Sequence, residues 1–190
     1  TEAPYYYILP KKQHDPGEFV NLVNLIMEHG VELYQLDRQV VLSGKIYQEG
    51  DVVIPLAQPF RPFIKEVLET QEFPERHYTP GGKLIKPYDI TSWSLPLHRH
   101  VFSEEIDVRY PELESALSAI DGVFDLKDDM RVQVVADAFV LPVESNESFQ
   151  AAFHALEKGF KVERLEKDFE LNGKTYRKGG FVLKQGRGNE

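Results

Sequence analysis

Two stretches of the chain show the same order of apolar patterns, each beginning with a short continuous run. Residues 5–9 form an aromatic and branched run that ends at Pro10, and this pattern predicts a buried strand. A helix is predicted next, with Asp15 as its N-cap and Pro16 in its first turn. Apolar residues recur at helical spacing as far as Gly30, which ends the helix. A strand followed by an amphipathic helix is therefore expected near the start of the chain.

The second stretch predicts an equivalent helix that starts at Ser145 or Asn146 and ends at Gly159. A strand is expected after each helix, at residues 31–36 and 160–165, and the two strands of a strand-helix-strand unit within one sheet should run parallel, with a right-handed crossover.

A hairpin follows each of these strands. Asn172-Gly173 predicts a two-residue hairpin turn, and Ser43-Gly44 is its weaker counterpart. The last strand of each stretch is expected at residues 52–56 or 181–184.

An internal duplication explains this repetition. Residues 30–54 and 159–183 align without a gap at an offset of 129 positions, and the upstream runs 7–10 and 139–142 align at an offset of 132. The identical pairs include Gly30 and Gly159, Gly44 and Gly173, Lys45 and Lys174, Tyr47 and Tyr176, and Gly50 and Gly179. Apolar positions between them also correspond, so the turns and the core remain in register.

The predicted fold is of the α/β class with mixed α and β elements. Two β-α-β-β-β repeats, residues 4–56 and 131–185, are expected to form mixed sheets with helices packed on them, within one pseudo-symmetric domain. The insert that joins them, residues 57–130, is predicted to contain helices at 62–71 and 111–121, with an exposed loop at 76–87.

Composition narrows the classes of function. The 190 residues are 42% hydrophobic, which is enough for a packed core, and they include no Cys, which excludes disulfides and thiolate metal sites. The net charge of -9 disfavours nucleic acid and anionic lipid as partners. No apolar run has the length of about 20 residues that a membrane span needs.

The least generic sequence lies in and beside the insert, in three segments: VVIPLAQPFRPF at residues 52–63, LETQEFP at 68–74 and PYDITSWSLPL at 87–97. This ordered combination resembles a region of large bacterial zinc carboxypeptidases of the carboxypeptidase A-like family, where it follows the peptidase domain. The resemblance covers nearly all of this chain and none of the peptidase domain.

The resemblance implies a non-catalytic accessory domain within a protein that releases C-terminal amino acids from peptides. Zinc is then expected in the peptidase domain of the same polypeptide and no cofactor is expected in this chain. The implied partners are that peptidase domain and a glutamine-amidotransferase-like domain downstream. A secreted or periplasmic location is likewise implied only by the resemblance.

Four histidines are candidates for metal ligands, at positions 29, 98, 100 and 154. His29 and His154 each begin a His-x-x-Glu match, but the repeat places Lys158 opposite His29 and Leu25 opposite His154, so local surface contacts are expected. His98 and His100 are weak metal candidates, because alternate residues of an extended segment share a face.

A proline-framed arginine suggests an alternative function as a peptide- or glycan-binding module. Arg61 could bind a carboxylate with both arms of its guanidinium group, with Tyr88, Asp89 and Trp93 lining the same groove. The structural alternative is that Arg61 pairs with an acidic residue such as Asp89, which caps a short helix containing Trp93. No catalytic residue is predicted.

Overall fold

The computed structural model describes residues 2–71, 74–86, 93–126 and 136–184. The chain divides into two compact units, of which the first comprises Thr1–Gln13 and Asn21–Phe124, and the second comprises His14–Val20 and Asp125–Glu190. The elements are, in chain order, β1 Tyr6–Leu9, α1 Pro16–Glu28, β2 Tyr34–Leu36, β3 Val40–Leu42, β4 Lys45–Tyr47, β5 Val52–Pro55, α2 Arg61–Leu68, α3 Leu95–Arg99, β6 Glu104–Ile106, α4 Pro111–Glu114, β7 Leu117–Ala119, β8 Ala138–Leu141, α5 Asn146–Glu157, β9 Lys161–Arg164, β10 Phe169–Leu171, β11 Lys174–Tyr176 and β12 Phe181–Lys184. These helices and sheets confirm the predicted fold class.

The first unit contains a five-stranded sheet in the order β6-β1-β5-β2-β7 and a separate hairpin, β3-β4. Tyr6, Ile8 and Val53 on one face of the sheet pack in a buried cluster with Leu42 and Tyr47 of the hairpin. The cluster also takes residues from β6 and α4, so the insert contributes directly to this core.

The second unit repeats the central part of this arrangement. Its sheet has the order β8-β12-β9, with a separate hairpin, β10-β11. Tyr7 lies opposite Ile54 in the first sheet, and their repeat equivalents Phe139 and Leu183 lie opposite each other in the second. The two copies therefore share strand order and register, whereas a single pseudo-symmetric domain stays a prediction.

The two strands that flank the helix of each repeat run parallel, as predicted, but they do not pair with each other, because β5 lies between β1 and β2, and β12 lies between β8 and β9. The sheets are antiparallel instead of mixed, since every strand pair in the described parts of the chain is antiparallel. The crossover through the helix thus skips one position, which leaves room for the last strand of the repeat.

The predicted helix at residues 111–121 is also wrong beyond its first turn. The helix α4 ends at Glu114, and β7 follows it, with Leu117 opposite Leu36 of β2. The spacing of Leu113, Leu117 and Ile120 fits a helix, but backbone pairing at the edge of the sheet overrides that local pattern.

Both hairpin turns are confirmed. Ser43 and Gly44 have φ angles of 48° and 81°, and Asn172 and Gly173 have 51° and 74°. Positive φ at both central residues is the type I′ geometry that matches the twist of the flanking strands.

The predicted helix starts are confirmed, and a single carboxylate serves two of them within the second unit. Asp15 is only 4% exposed, and its Oδ1 accepts hydrogen bonds from the backbone N–H groups of Gly17 at 3.0 Å and Glu18 at 3.3 Å. Its Oδ2 accepts from the backbone N–H of Asn146 at 2.9 Å, at the start of α5. The N-cap of α5 is Ser145, whose hydroxyl accepts from the backbone of Glu147.

We expect Asp15→Ala to lower the free energy of unfolding by about 2 kcal/mol, because the backbone N–H groups of Gly17, Glu18 and Asn146 lose their acceptor. Asp15→Asn keeps one side-chain acceptor and should cost less. Chemical denaturation measures the stability, and hydrogen exchange at Gly17, Glu18 and Asn146 locates the loss. An alanine variant as stable as the wild type would contradict this role.

Candidate functional site

Arg61 is the first residue of α2, and its guanidinium group binds backbone carbonyl oxygens of the N-terminal segment. Nη1 donates to Pro4 at 3.0 Å, and Nη2 donates to Glu2 at 2.6 Å and Ala3 at 3.4 Å. Through these hydrogen bonds, Arg61 holds the first residues of the chain against α2. The expected pairing of Arg61 with an acidic residue such as Asp89 stays a prediction, because Asp89 lies outside the described residues.

Other residues of the same proline-rich segment also bind the chain itself. The Gln58 amide donates to the carbonyls of Pro55 at 2.6 Å and Glu32 at 3.1 Å, and accepts from the N–H of Glu32 at 2.9 Å. Phe63 stacks on His29 with ring centroids 5.1 Å apart. The most distinctive motif of the sequence thus forms a structural joint around α2.

Of the other three residues of the predicted groove, only Trp93 lies in the described part of the chain. Tyr88 and Asp89 lie outside the described residues. Trp93 is 37% exposed and immediately precedes Ser94, the N-cap of α3. The described structure therefore does not bring together the four residues Arg61, Tyr88, Asp89 and Trp93, and their grouping stays a prediction.

The extended segment expected at His98 and His100 is wrong. His98 lies in the helix α3, and His100 is its C-cap in a left-handed conformation, with φ of 53°. The alternation that would place both rings on one face of a strand does not apply here. Over residues 2–71, 74–86, 93–126 and 136–184, no group of three acidic or histidine side chains is arranged to hold a metal ion.

The two His-x-x-Glu matches have local structural contacts. His29 Nδ1 lies 2.8 Å from the carbonyl oxygen of Leu25 in the preceding turn. His154 and Glu157 form the expected surface pair, with Nδ1 3.6 Å from the carboxylate and both side chains more than half exposed.

The hydroxyls of Tyr6, Tyr7 and Tyr47 in the first unit lie beside carboxylates. Burial, followed by a hydrogen bond to Glu114, raises the pKa of Tyr6 to about 12. Burial is also the main cause of the raised pKa of Tyr7, whose hydroxyl donates to Glu105 at 3.0 Å. Such groups remain protonated near neutral pH and act as hydrogen-bond donors instead of general bases.

The third pair belongs to a group that we call the Glu104 cluster, which consists of Glu104, Lys45 and Tyr47. Lys45 forms an ion pair with Glu104, and its Nζ lies 5.5 Å from the centre of the Tyr47 ring. Burial and then the hydrogen bond to Glu104 raise the pKa of Tyr47. Glu104 and Glu105 therefore link β6 to the neighbouring β4 and β1.

The sequence contained one signal of this cluster, since Lys45 and Tyr47 recur as Lys174 and Tyr176. That identity indicated a shared scaffold, but the acidic partner comes from the unrepeated insert and has no signal in the repeat alignment.

No family model, curated protein or solved structure matches this chain. The resemblance to the carboxypeptidase-associated region therefore stays a prediction. In the described part of the chain, none of the helices combines the length and apolar character that a bilayer crossing requires.

We expect Arg61→Ala to lower the free energy of unfolding by about 1.5–3 kcal/mol, the range for hydrogen bonds to a charged group. Arg61→Lys keeps the charge but loses the fork, and should recover only part of the loss. Chemical denaturation provides the measurement, with the exposed Arg76→Ala as a matched control that should change stability by less than about 0.5 kcal/mol. Equal changes in the free energy of unfolding for the Arg61 and Arg76 variants would show that Arg61 does not stabilise the N-terminal segment.

Proposed function

We propose that this chain is a non-catalytic accessory domain of a zinc metallocarboxypeptidase-like protein, and that it packs against the peptidase domain of the same polypeptide. The observation that carries the proposal is that polar side chains of the most distinctive motif form hydrogen bonds within the chain itself. Arg61 and Gln58 bind the chain's own backbone, which is the behaviour of a scaffold. The peptidase neighbour is proposed because the three motif segments, 52–63, 68–74 and 87–97, resemble the region that follows the peptidase domain in that family.

An exposed apolar pair on the first hairpin supports a packing role. Val41 of β3 lies opposite Ile46 of β4, and the two side chains are 51% and 55% exposed. Their repeat equivalents, Glu170 and Thr175, lie opposite each other in the second hairpin and are polar. The second copy shows that polar side chains suit this hairpin position, so the apolar pair of the first copy is suited to covering by another domain.

The test transfers the polar pair of the second hairpin to the first, in a polypeptide that joins this chain to a zinc carboxypeptidase domain. We expect Val41→Glu with Ile46→Thr to lower the thermal inactivation midpoint of peptidase activity by about 2–4 °C, because it removes an apolar contact between domains. The reciprocal control, Glu170→Val with Thr175→Ile, should leave that midpoint unchanged.

Zinc content per peptidase domain should be the same in all three proteins. Identical inactivation midpoints in the wild type and the Val41, Ile46 variant would refute packing through this hairpin. A saturating one-site zinc isotherm, or hydrolysis of C-terminal residues by the isolated chain, would refute the non-catalytic role.

A further inference from the structure

The two sheets differ at their outer edges. In the first unit, β6 pairs with the outer edge of β1, and β7 pairs with the outer edge of β2. Both flanking strands come from the insert, residues 57–130. In the second unit, the equivalent strands β8 and β9 have no neighbour other than β12 among the described residues. Within the described residues, the second copy therefore has two open edges where the first copy has paired ones.

The two open edges are chemically different. β9 carries Lys161, Glu163 and Arg164, and charged side chains of this kind protect an edge strand against pairing with another chain. Lys161 and Lys184 both lie 2.6 Å from the Glu163 carboxylate. The sequence of β8 is Ala-Phe-Val-Leu, without charge, and all four residues are only partly buried. β8 is thus the edge suited to receive a strand.

The Glu104 cluster also recurs in the second copy, but without its acid. Lys174 Nζ lies 5.2 Å from the centre of the Tyr176 ring, as Lys45 does over Tyr47 at 5.5 Å. Lys174 has no ion-pair partner in the described part of the chain. In the first unit the carboxylate that pairs with the lysine belongs to Glu104. Glu104 lies on β6, the strand that pairs with β1, opposite Ile8.

Apolar burial shows the same difference between the copies. Leu42 is 2% exposed and packs in a cluster that includes Ile106 of β6 and Leu113 of α4. Its repeat equivalent, Leu171, is 47% exposed. The side chain that an insert strand and helix cover in the first copy is therefore open in the second.

We propose that the outer edge of β8, together with Lys174 and Tyr176, binds an extended acidic segment of a partner polypeptide as an additional antiparallel strand. By the register of β6 on β1, the partner places Asp or Glu opposite Val140 and a branched aliphatic residue opposite Ala138. The carboxylate pairs with Lys174, and the aliphatic side chain occupies the position that Ile106 has in the first copy. This inference goes beyond the proposed function and does not depend on a peptidase neighbour.

The partner residue between these two, opposite Phe139, is expected to differ from its counterpart in the first copy. Glu105 occupies it in the first copy, where it accepts a hydrogen bond from the Tyr7 hydroxyl. The repeat equivalent of Tyr7 is Phe139, which has no hydroxyl group to offer. An apolar residue is therefore favoured opposite Phe139.

The probe is a synthetic peptide with the sequence of residues 102–108, which contains β6, but with Val in place of its Glu105 residue, titrated into the full 190-residue chain. Backbone amide NMR shifts should change at residues 138–141 and at Lys174 and Tyr176, and the fit gives the dissociation constant. Lys174→Ala should weaken binding about two- to five-fold, as expected for an exposed ion pair. The peptide with Gln in place of its Glu104 residue should weaken to the same degree, without further loss on the Lys174→Ala chain.

Two controls separate strand pairing from general attraction. Lys45→Ala, the matched variant in the first copy, should leave the dissociation constant unchanged. A peptide that is N-methylated along the edge facing β8 should not bind, because it cannot form the ladder of hydrogen bonds.

Three outcomes would overturn the proposal. The first is the absence of shift changes at β8 up to several millimolar peptide. The second is equal binding of the wild-type chain and Lys174→Ala. The third is dimerisation of the chain through β8 in sedimentation, which would identify a second copy as the occupant.

Discussion

The position of the last strand of each repeat is the constraint on which the rest of the fold depends. β5 lies between β1 and β2, and β12 lies between β8 and β9, so the first and third elements of a repeat never pair with each other. Their outer edges are consequently left for strands from elsewhere. In the first copy the insert supplies these strands as β6 and β7, and it also closes the core under the hairpin. The insert is therefore a structural part of the first copy.

Local chemistry allowed much of this fold to be predicted. Asp15 and Ser145 cap helices, Gly30 and Gly159 end them, and Asn172-Gly173 forms a type I′ turn, because each feature depends on a few neighbouring residues. β6, β7 and the antiparallel order were missed because they depend on partners distant in sequence. Leu117 shows this most clearly, since its helical spacing gave no sign of its pairing with Leu36.

The candidate site was predictable to a smaller degree. The sequence correctly marks the segment around Arg61 as distinctive, but the guanidinium group binds backbone carbonyls, which every residue carries and no sequence pattern identifies. The recurrence of Lys45 and Tyr47 as Lys174 and Tyr176 was visible from the start. Its meaning required the structure, because only the position of Glu104 shows what the second copy lacks.

The comparison of the two copies connects scaffold and function. Positions shared by both maintain the sheet and its hairpin, and positions that differ show where each copy meets other polypeptide segments. The most direct measurement is hydrogen exchange of the isolated chain at the backbone amides of β1 and β8 that do not bond to the central strand. The account predicts slow exchange in β1, where β6 covers the edge, and fast exchange in β8. Equally slow exchange in both strands would contradict it.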